Sequence, residues 1–469
     1  MQKILLLIAS LFYFNFILAE NEIKSWQGIH ETPLSRLEQQ FAEPPVEFAN
    51  HVIWGWEGKM DKKTICNDLD SIKKKGFRAV IFEAGYKLPF KYLSEEWFKA
   101  IRTGVLEAKK RGMKVWIIDE GKYPSGFAGG KFSQERPDLR MQALVIGDTI
   151  QIKRGEVMTN HKIAPEIISA VAVSTSGAPN RTVAINNGEI SFNAGLDDWK
   201  ILLVKSDFRT AVTRAVNNPN GGKDATNSLC DYLNPVAVQQ FIDWTHEQYK
   251  KYLGKELGTT VLGFRGDEPD YAHLPWTPSI VQTFKDTKGY DPTPYLASFF
   301  TTSPTIQEQR VKADYWDVWS SLFATHFFKL QADWCAANGV AHITHLNKEH
   351  EMPACVKAEG DYFRNLSKVQ IPGVDAIWNQ IWPGTLNDFP KLASSVAHVY
   401  GKPRAFSESF AAYHISPTIP QAKFVVDHQI ARGINFFEFM FWPAGSKHRN
   451  WMSDPGMKGL NEYTNRTTY

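Results

Sequence analysis

The chain predicts an α/β fold, a (β/α)8 TIM-like barrel with a β-rich domain inserted between its third and fourth strands. Two observations carry this: short β-type runs alternate with helical stretches from residue 50 onward, and an acidic or polar side chain closes almost every run. HVIWGW (51–56) precedes a helical pattern over 62–75 that ends at Gly76. AVIFEA (79–84) precedes one over 95–111 that ends at Gly112, and KVWIIDE (114–120) follows. Both glycines stand where a helix C-terminus needs them.

The rhythm then breaks. Residues 131–230 hold β-like runs such as SAVAVST and WKILLVK, with Asn187-Gly188 marking a hairpin between TVAI and EISF. The alternation resumes with a helix over 235–253 and TTVLGFRGDE (259–268) as fourth strand. A long helix follows, with Ser303-Pro304 at its start and Asn338-Gly339 at its end. GVAHITHL (339–346), DAIWNQ (375–380), RAFSES (404–409) and INFFEFM (434–440) supply strands five to eight, with helical patterns over 388–400 and 419–431. The boundaries are thus 1–19 for a signal peptide, 20–130 and 231–469 for the barrel, and 131–230 for the insert. The polar tail NEYTNRTTY leaves the eighth helix looking incomplete or absent.

The N-terminus pairs Lys3 with an apolar run over 4–18 and Ala19 at a cleavage position, a secretory pattern. An uncleaved anchor is the other reading, because Ile17 is large for the third site position. The pattern implies a secreted or periplasmic protein with no stable membrane insertion after cleavage. A net charge of +3, without any basic block, argues against nucleic acid as a partner. The four cysteines (66, 230, 335, 355) lack CxxC spacing and read as buried thiols, with one disulfide possible in principle. Aromatic residues make up 13% of the chain, which suits a large core and also the apolar faces of sugar rings.

Chemistry in a barrel of this kind sits where strands end, and the strand ends here carry Glu83, Asp119, Glu120, Asp267, Glu268, His345, Asn379, Glu408 and Glu438. Cleaving a glycosidic bond takes a protonated carboxyl for the leaving oxygen and a carboxylate on the opposite face of the sugar. Glu268 has Asp267 as a like-charged neighbour that raises its pKa, with Arg265 opposing the shift. Glu408 is the candidate second carboxylate. The plainer alternatives are a loop acid ahead of Pro269 for Glu268, and a strand-end acid paired with Arg404 or Arg432 for Glu408. Glu120 either binds sugar hydroxyls or pairs with Lys122. His342 and His345 cannot both face the lumen, and His345 is the ligand-facing candidate. Trp54, Trp56, Trp276, Trp378, Trp382 and Trp442 lie near strands or their loops, and one or two of them should floor a sugar subsite. NKEHE (347–351) has the oxygens and His350 to bind a divalent cation, but without a recognised ligand spacing it reads rather as a solvated loop.

WGW near strand one, IIDEGKYPSGFAGG after strand three, GFRGDEPD with LPWTPSIVQTFKDTKGYDPTPYL, SSVAHVYGKPRAFSESFAAY and QIARGIN, in this order, resemble glycoside hydrolase family 106, the α-L-rhamnosidases. The resemblance runs from about residue 45 to the end. It implies inverting hydrolysis of an oligosaccharide or polysaccharide with Glu268 as general acid and Glu408 as general base. The strand-end reading makes Asp267, Arg265, Glu120, His345, Trp54, Trp56, Trp276, Asn379 and Trp442 the candidate sugar contacts, and the resemblance adds a calcium ion near the sugar whose ligands the sequence does not place. Arg265-Gly266 departs from the small polar residue usual there. A retaining glycosidase with Glu408 as nucleophile and a non-catalytic carbohydrate-binding protein remain the alternatives.

Overall fold

The computed structural model describes residues 27–28, 32–121, 123–210, 213–214, 223–224, 228–271, 274–385, 387–445 and 451–469. The proposed signal peptide lies outside them. Eight strands close a parallel barrel: β1 (His51–Trp56), β2 (Ala79–Ala84), β3 (Lys114–Ile118), β4 (Val261–Gly266), β5 (Ala341–Thr344), β6 (Ile371–Ala376), β7 (Phe406–Ser409) and β8 (Phe436–Pro443). Each pairs with its neighbours in the chain, and β8 closes on β1.

Side-chain alternation gives each strand two fates. Ile53, Ile81, Trp116, Ile118, Leu262, Ile343, Phe406 and Phe436 fill the lumen as one apolar cluster. Val52, Trp54, Trp56, Val80, Phe82, Phe437 and Phe439 face outward, into the larger core between strands and helices. The first two helices follow their sequence signals. Lys62–Lys74 is capped by Asp61 and Glu95–Lys110 by Ser94, and the chain leaves each through a glycine with positive φ.

Three helices differ from the sequence reading. The 235–253 pattern is two helices, Pro235–Trp244 and His246–Leu253, broken at Thr245 (φ −113°, ψ −83°). The long helix begins at Ile306, because Thr305 rather than Ser303 caps it, in a reciprocal box with Glu308. It passes through a π-helical turn at Phe323–Phe328 before Lys329–Ala337. The eighth helix is present as Met457–Thr468. Its buried face carries Asn461, Thr464 and Asn465 beside Met457 and Leu460, so hydrophobic periodicity undercounts it. Those amides bond the barrel floor: Asn465 Oδ1 accepts from Asn50 N at 2.7 Å, and Asn461 Nδ2 donates to Lys75 O at 3.0 Å. Asn465→Ala should therefore cost about 1–3 kcal/mol, read by urea unfolding, since it strands a buried N–H. Asn365 and Asn465, both in N-x-S/T sequences, are buried and engaged, which removes them as glycan acceptors in the folded chain.

The insert is built on a five-stranded antiparallel sheet, Pro275–Trp276, Gln142–Ile152, Trp199–Phe208, Ile167–Ser174 and Arg181–Thr182, and a three-stranded sheet that includes the Ile185–Asn186 and Glu189–Asn193 hairpin. Its first strand comes from the loop after β4, so the insert is sewn to the segment that follows the FRGDEPD motif. Among the described residues, no helix is long and apolar enough to cross a membrane.

Candidate active site

The charged residues meet at the C-terminal ends of β4 to β8. Arg265 projects from β4 into the lumen with no exposed surface. Its guanidinium contacts Asp267 at 2.6 Å, Glu438 at 3.0 Å and Glu408 more closely still. Gly266 ends β4 beside it, paired in register with Thr344 of β5. A Cβ there would lie 3.0 Å from Thr344 Oγ1 and 3.2 Å from the His342 ring, so a side chain would push β4 off β5.

Register sets the rest of the cluster. Asp375, Glu408 and Glu438 are aligned partners on β6, β7 and β8. Aligned residues on adjacent strands share a face, so three carboxyls line one wall of the lumen. His345 comes from the end of β5. Its Nδ1 donates to Leu346 O at 2.8 Å, so Nε2 is the nitrogen that gains or loses a proton. Nε2 stands 3.2 Å from Glu408 Oε2 and 3.4 Å from Asp267 Oδ1.

Two carboxyls are driven apart in acidity. Burial first, then the charges of Asp267, Glu408 and Glu349, push Glu268 up to about 8, against a smaller downward pull from His345. Burial also pushes Glu408 upward, but Arg265 and His345 outweigh it and hold the group below the ordinary carboxylate value. At neutral pH Glu268 is thus an acid and Glu408 an anion. Asp267 is raised by burial in spite of Arg265, and Asp375 well raised by burial and then Glu408. Burial and Arg265 work against a proton on His345, yet Glu408, Asp375 and Glu349 together raise it well above its usual value. Glu268 also sits at φ +40°, in the left-handed region, a strain held by its surroundings at a strand end.

Several expected sugar contacts are placed elsewhere. Trp54 and Trp56 point outward by strand alternation and are fully buried among Phe82 and Trp97. Trp442, aligned with Trp54, shares its orientation and bonds Asp68 of the first helix. Trp276 is buried in the sheet that joins the insert. Glu120 accepts from the backbone N–H groups of Gly121, Ala128 and Gly129, with no surface to spare for sugar, and burial lifts it to about 7. Its role is to staple the loop after β3; Lys122 lies outside the described residues. Arg265 is likewise out of reach of a ligand, because three carboxylates enclose it. Glu408 pairs with neither Arg404, which stacks over Phe48, nor Arg432, which pairs with Asp388.

At the rim, Asn379 Oδ1 accepts from His414 N at 3.0 Å, tying the loops after β6 and β7 together. Beside it Trp378 is 52% exposed, an aromatic surface on the loop that follows β6. Sequence reasoning passed over Asp375 as a site residue, and it treated Glu349 as part of a solvated loop. Glu349 is buried 3.7 Å from His345, and its Oε1 accepts from Leu346 N. The sequence reading set Asp375 at the start of strand six (375–380), whereas β6 runs Ile371–Ala376 and brings Asp375 to its C-terminal end, so the misplaced strand hid the residue. All four cysteines are free, and only Cys66 is less than buried.

A family model described as alpha-L-rhamnosidase, glycoside hydrolase 106, matches residues 163–458. The chain belongs to glycoside hydrolase family 106. The fold of this family 106 chain is similar to that of the rhamnosidase from Novosphingobium sp. PP1Y, with TM-score 0.69 and 15% identity over 93% of this chain and 60% of that one. A protein of Formosa agariphila described as "Putative beta-glucuronidase" is 24% identical over 90% of this chain and 39% of its own length. The chain therefore spans about two fifths to three fifths of the length of these relatives.

Proposed function

We propose that this chain is the catalytic barrel of a glycosidase that releases terminal α-L-rhamnosyl or related deoxysugar residues from glycans with inversion, outside the cytoplasm. The observation that carries the reading is the split in acidity: Glu268 keeps its proton up to about 8 while Glu408, in the same cluster, is held ionised. Glu268 delivers its proton to the leaving glycosidic oxygen. Among the described residues, the hydrogen bonds and ion pairs of Glu408 all use Oε2, which leaves Oε1 to draw a proton from the attacking water. Trp378 supplies the apolar face for the ring.

The chemistry of the cluster favours a neutral sugar over a uronate. Its two cations, Arg265 and His345, are already taken by carboxylates, and the other groups of the cluster, Asp267, Glu268, Glu349 and Asp375, are acids, so an incoming carboxylate would find no free cation there and would meet the ionised Glu408. The same acidic surplus suits a calcium ion. Calcium takes carboxylate, carbonyl, hydroxyl and water oxygens. Asp375 Oδ1 is a buried oxygen with no hydrogen-bond partner, and Glu268 offers a donor atom within 4.8 Å of it or its sister oxygen. Asp375 would hold the ion, which would supply positive charge to orient sugar hydroxyls.

The reading is tested by incubating the chain with a panel of aryl glycosides and following the first product by NMR. Release of rhamnose or another deoxysugar in the anomeric form opposite to the substrate's is expected. Retention of configuration would make Glu408 a nucleophile, and glucuronic acid as the sole product would refute the neutral-sugar assignment.

A further inference from the structure

The break at Thr245 plays no part in the carboxylate cluster, but it fixes a histidine on the outer side of the barrel. Thr245 Oγ1 donates its one proton to Phe241 O at 2.7 Å, and it also lies 2.9 Å from His246 Nδ1. The hydroxyl can then only accept from Nδ1–H, so the His246 tautomer carries a bare lone pair on Nε2. That nitrogen is buried and has no hydrogen-bond partner.

His342 faces it from the outward side of β5, and its Nδ1 is equally buried and unpartnered. Cys335, from the helix Lys329–Ala337, completes the group. One donor atom from each of the three lies within 4.8 Å of the other two, and all three residues are at most 1% exposed. Phe264 and Trp334 wall the group, with ring centroids 4.3 Å and 5.1 Å from that of His246.

Two imidazoles and a thiol, converging behind aromatic walls, are the donor set of a borderline-soft transition metal. We propose that His246, Cys335 and His342 form a binding site for a single zinc ion. Cys335 loses its thiol proton to solvent as its sulfur joins the metal, and a water takes the remaining tetrahedral position. The group contains no carboxylate, so a hard cation such as calcium has nothing to hold there. The ion would pin three elements: the helix after the Thr245 break, the helix before β5, and β5 itself. His342 also borders Gly266, so the site lies directly behind the strand that carries the acid.

The test uses the full chain, stripped with chelator, incubated with zinc or cobalt(II) alone, passed through a desalting column and measured by elemental analysis and absorption. One zinc per chain and a thiolate-to-cobalt charge-transfer band are expected, together with a melting temperature raised by zinc. Cys335→Ser and His246→Gln should each lose the band and weaken zinc retention by at least the roughly 10–100-fold seen when even a supporting residue is removed. Cys66→Ser, with its thiol elsewhere, should leave both intact. Absence of zinc and band in the wild type, or retention unchanged in Cys335→Ser, would overturn the site. Neither result touches the hydrolase reading, because no member of the trio lines the lumen.

Discussion

Glu268→Gln is expected to lower glycoside hydrolysis by about 10²–10⁴-fold, the range that general acid catalysis supplies. The amide keeps the volume and the strained backbone position but cannot deliver a proton. The loss should therefore depend on the leaving group. An aryl glycoside whose phenol leaves readily needs little protonation and retains most of its rate, whereas a natural glycan loses nearly all of it. The pH profile carries a second signature. In the wild type the acid must be protonated and the base ionised, so activity falls as pH rises through about 8 and as pH drops through the depressed value of Glu408. The variant has no proton to lose at Glu268, and its residual rate should stay level through pH 8. Rates on paired good and poor leaving groups between pH 4 and 10 decide the matter. Equal losses on both substrates with the alkaline limb intact would remove Glu268 from the acid role.

The barrel was legible in the sequence because its signals are local. Short apolar runs such as AVIFEA or INFFEFM between helical stretches, and glycines at helix ends, need no knowledge of distant residues. The acidic pair at 267–268 was legible for the same reason, being a strand end ahead of a proline. What escaped was whatever depends on register or on facing direction. Trp54 and Trp56 lie in the same strand as His51 and Ile53, and only the choice of inward parity, made by the whole barrel, sends the tryptophans outward. Arg265 could be weighed against its neighbour Asp267 but not against Glu408 and Glu438, which lie more than 140 positions further along the chain. Asp375 looks like any strand residue until β6 is set beside β7. The last helix hid because its buried face is amide and hydroxyl, and its stabilising partners, Asn50 and Lys75, sit at the far end of the sequence.

Arg265→Met should be the most damaging single change to the fold of the site. Methionine fills the space but leaves Asp267, Glu408 and Glu438 buried without their shared cation. Breaking a buried ion pair in this way costs about 3–5 kcal/mol, out of a total stability of roughly 5–15 kcal/mol. The cost depends on pH in a direction that follows from Glu408. Its folded value lies below the unfolded one of 4.5, so the stability it contributes is present above 4.5 and lost as pH falls through the folded value. The gap between wild type and variant is therefore widest at neutral pH and narrows in acid, where the orphaned carboxyls protonate. Catalysis should fail for a related reason. Without Arg265, burial is left as the largest influence on Glu408 and raises it, so the base is protonated at the pH where Glu268 is a competent acid. The window with acid protonated and base ionised narrows, and the acidic limb of the rate profile moves upward. Arg265→Lys, a single point charge that cannot fork among three carboxylates, should fall between the two. Urea unfolding at pH 4 and pH 7, with pH–rate profiles of the folded fraction, measures both effects. A methionine variant as stable as the wild type at pH 7, with its acidic limb unmoved, would mean that Arg265 is not what keeps Glu408 ionised.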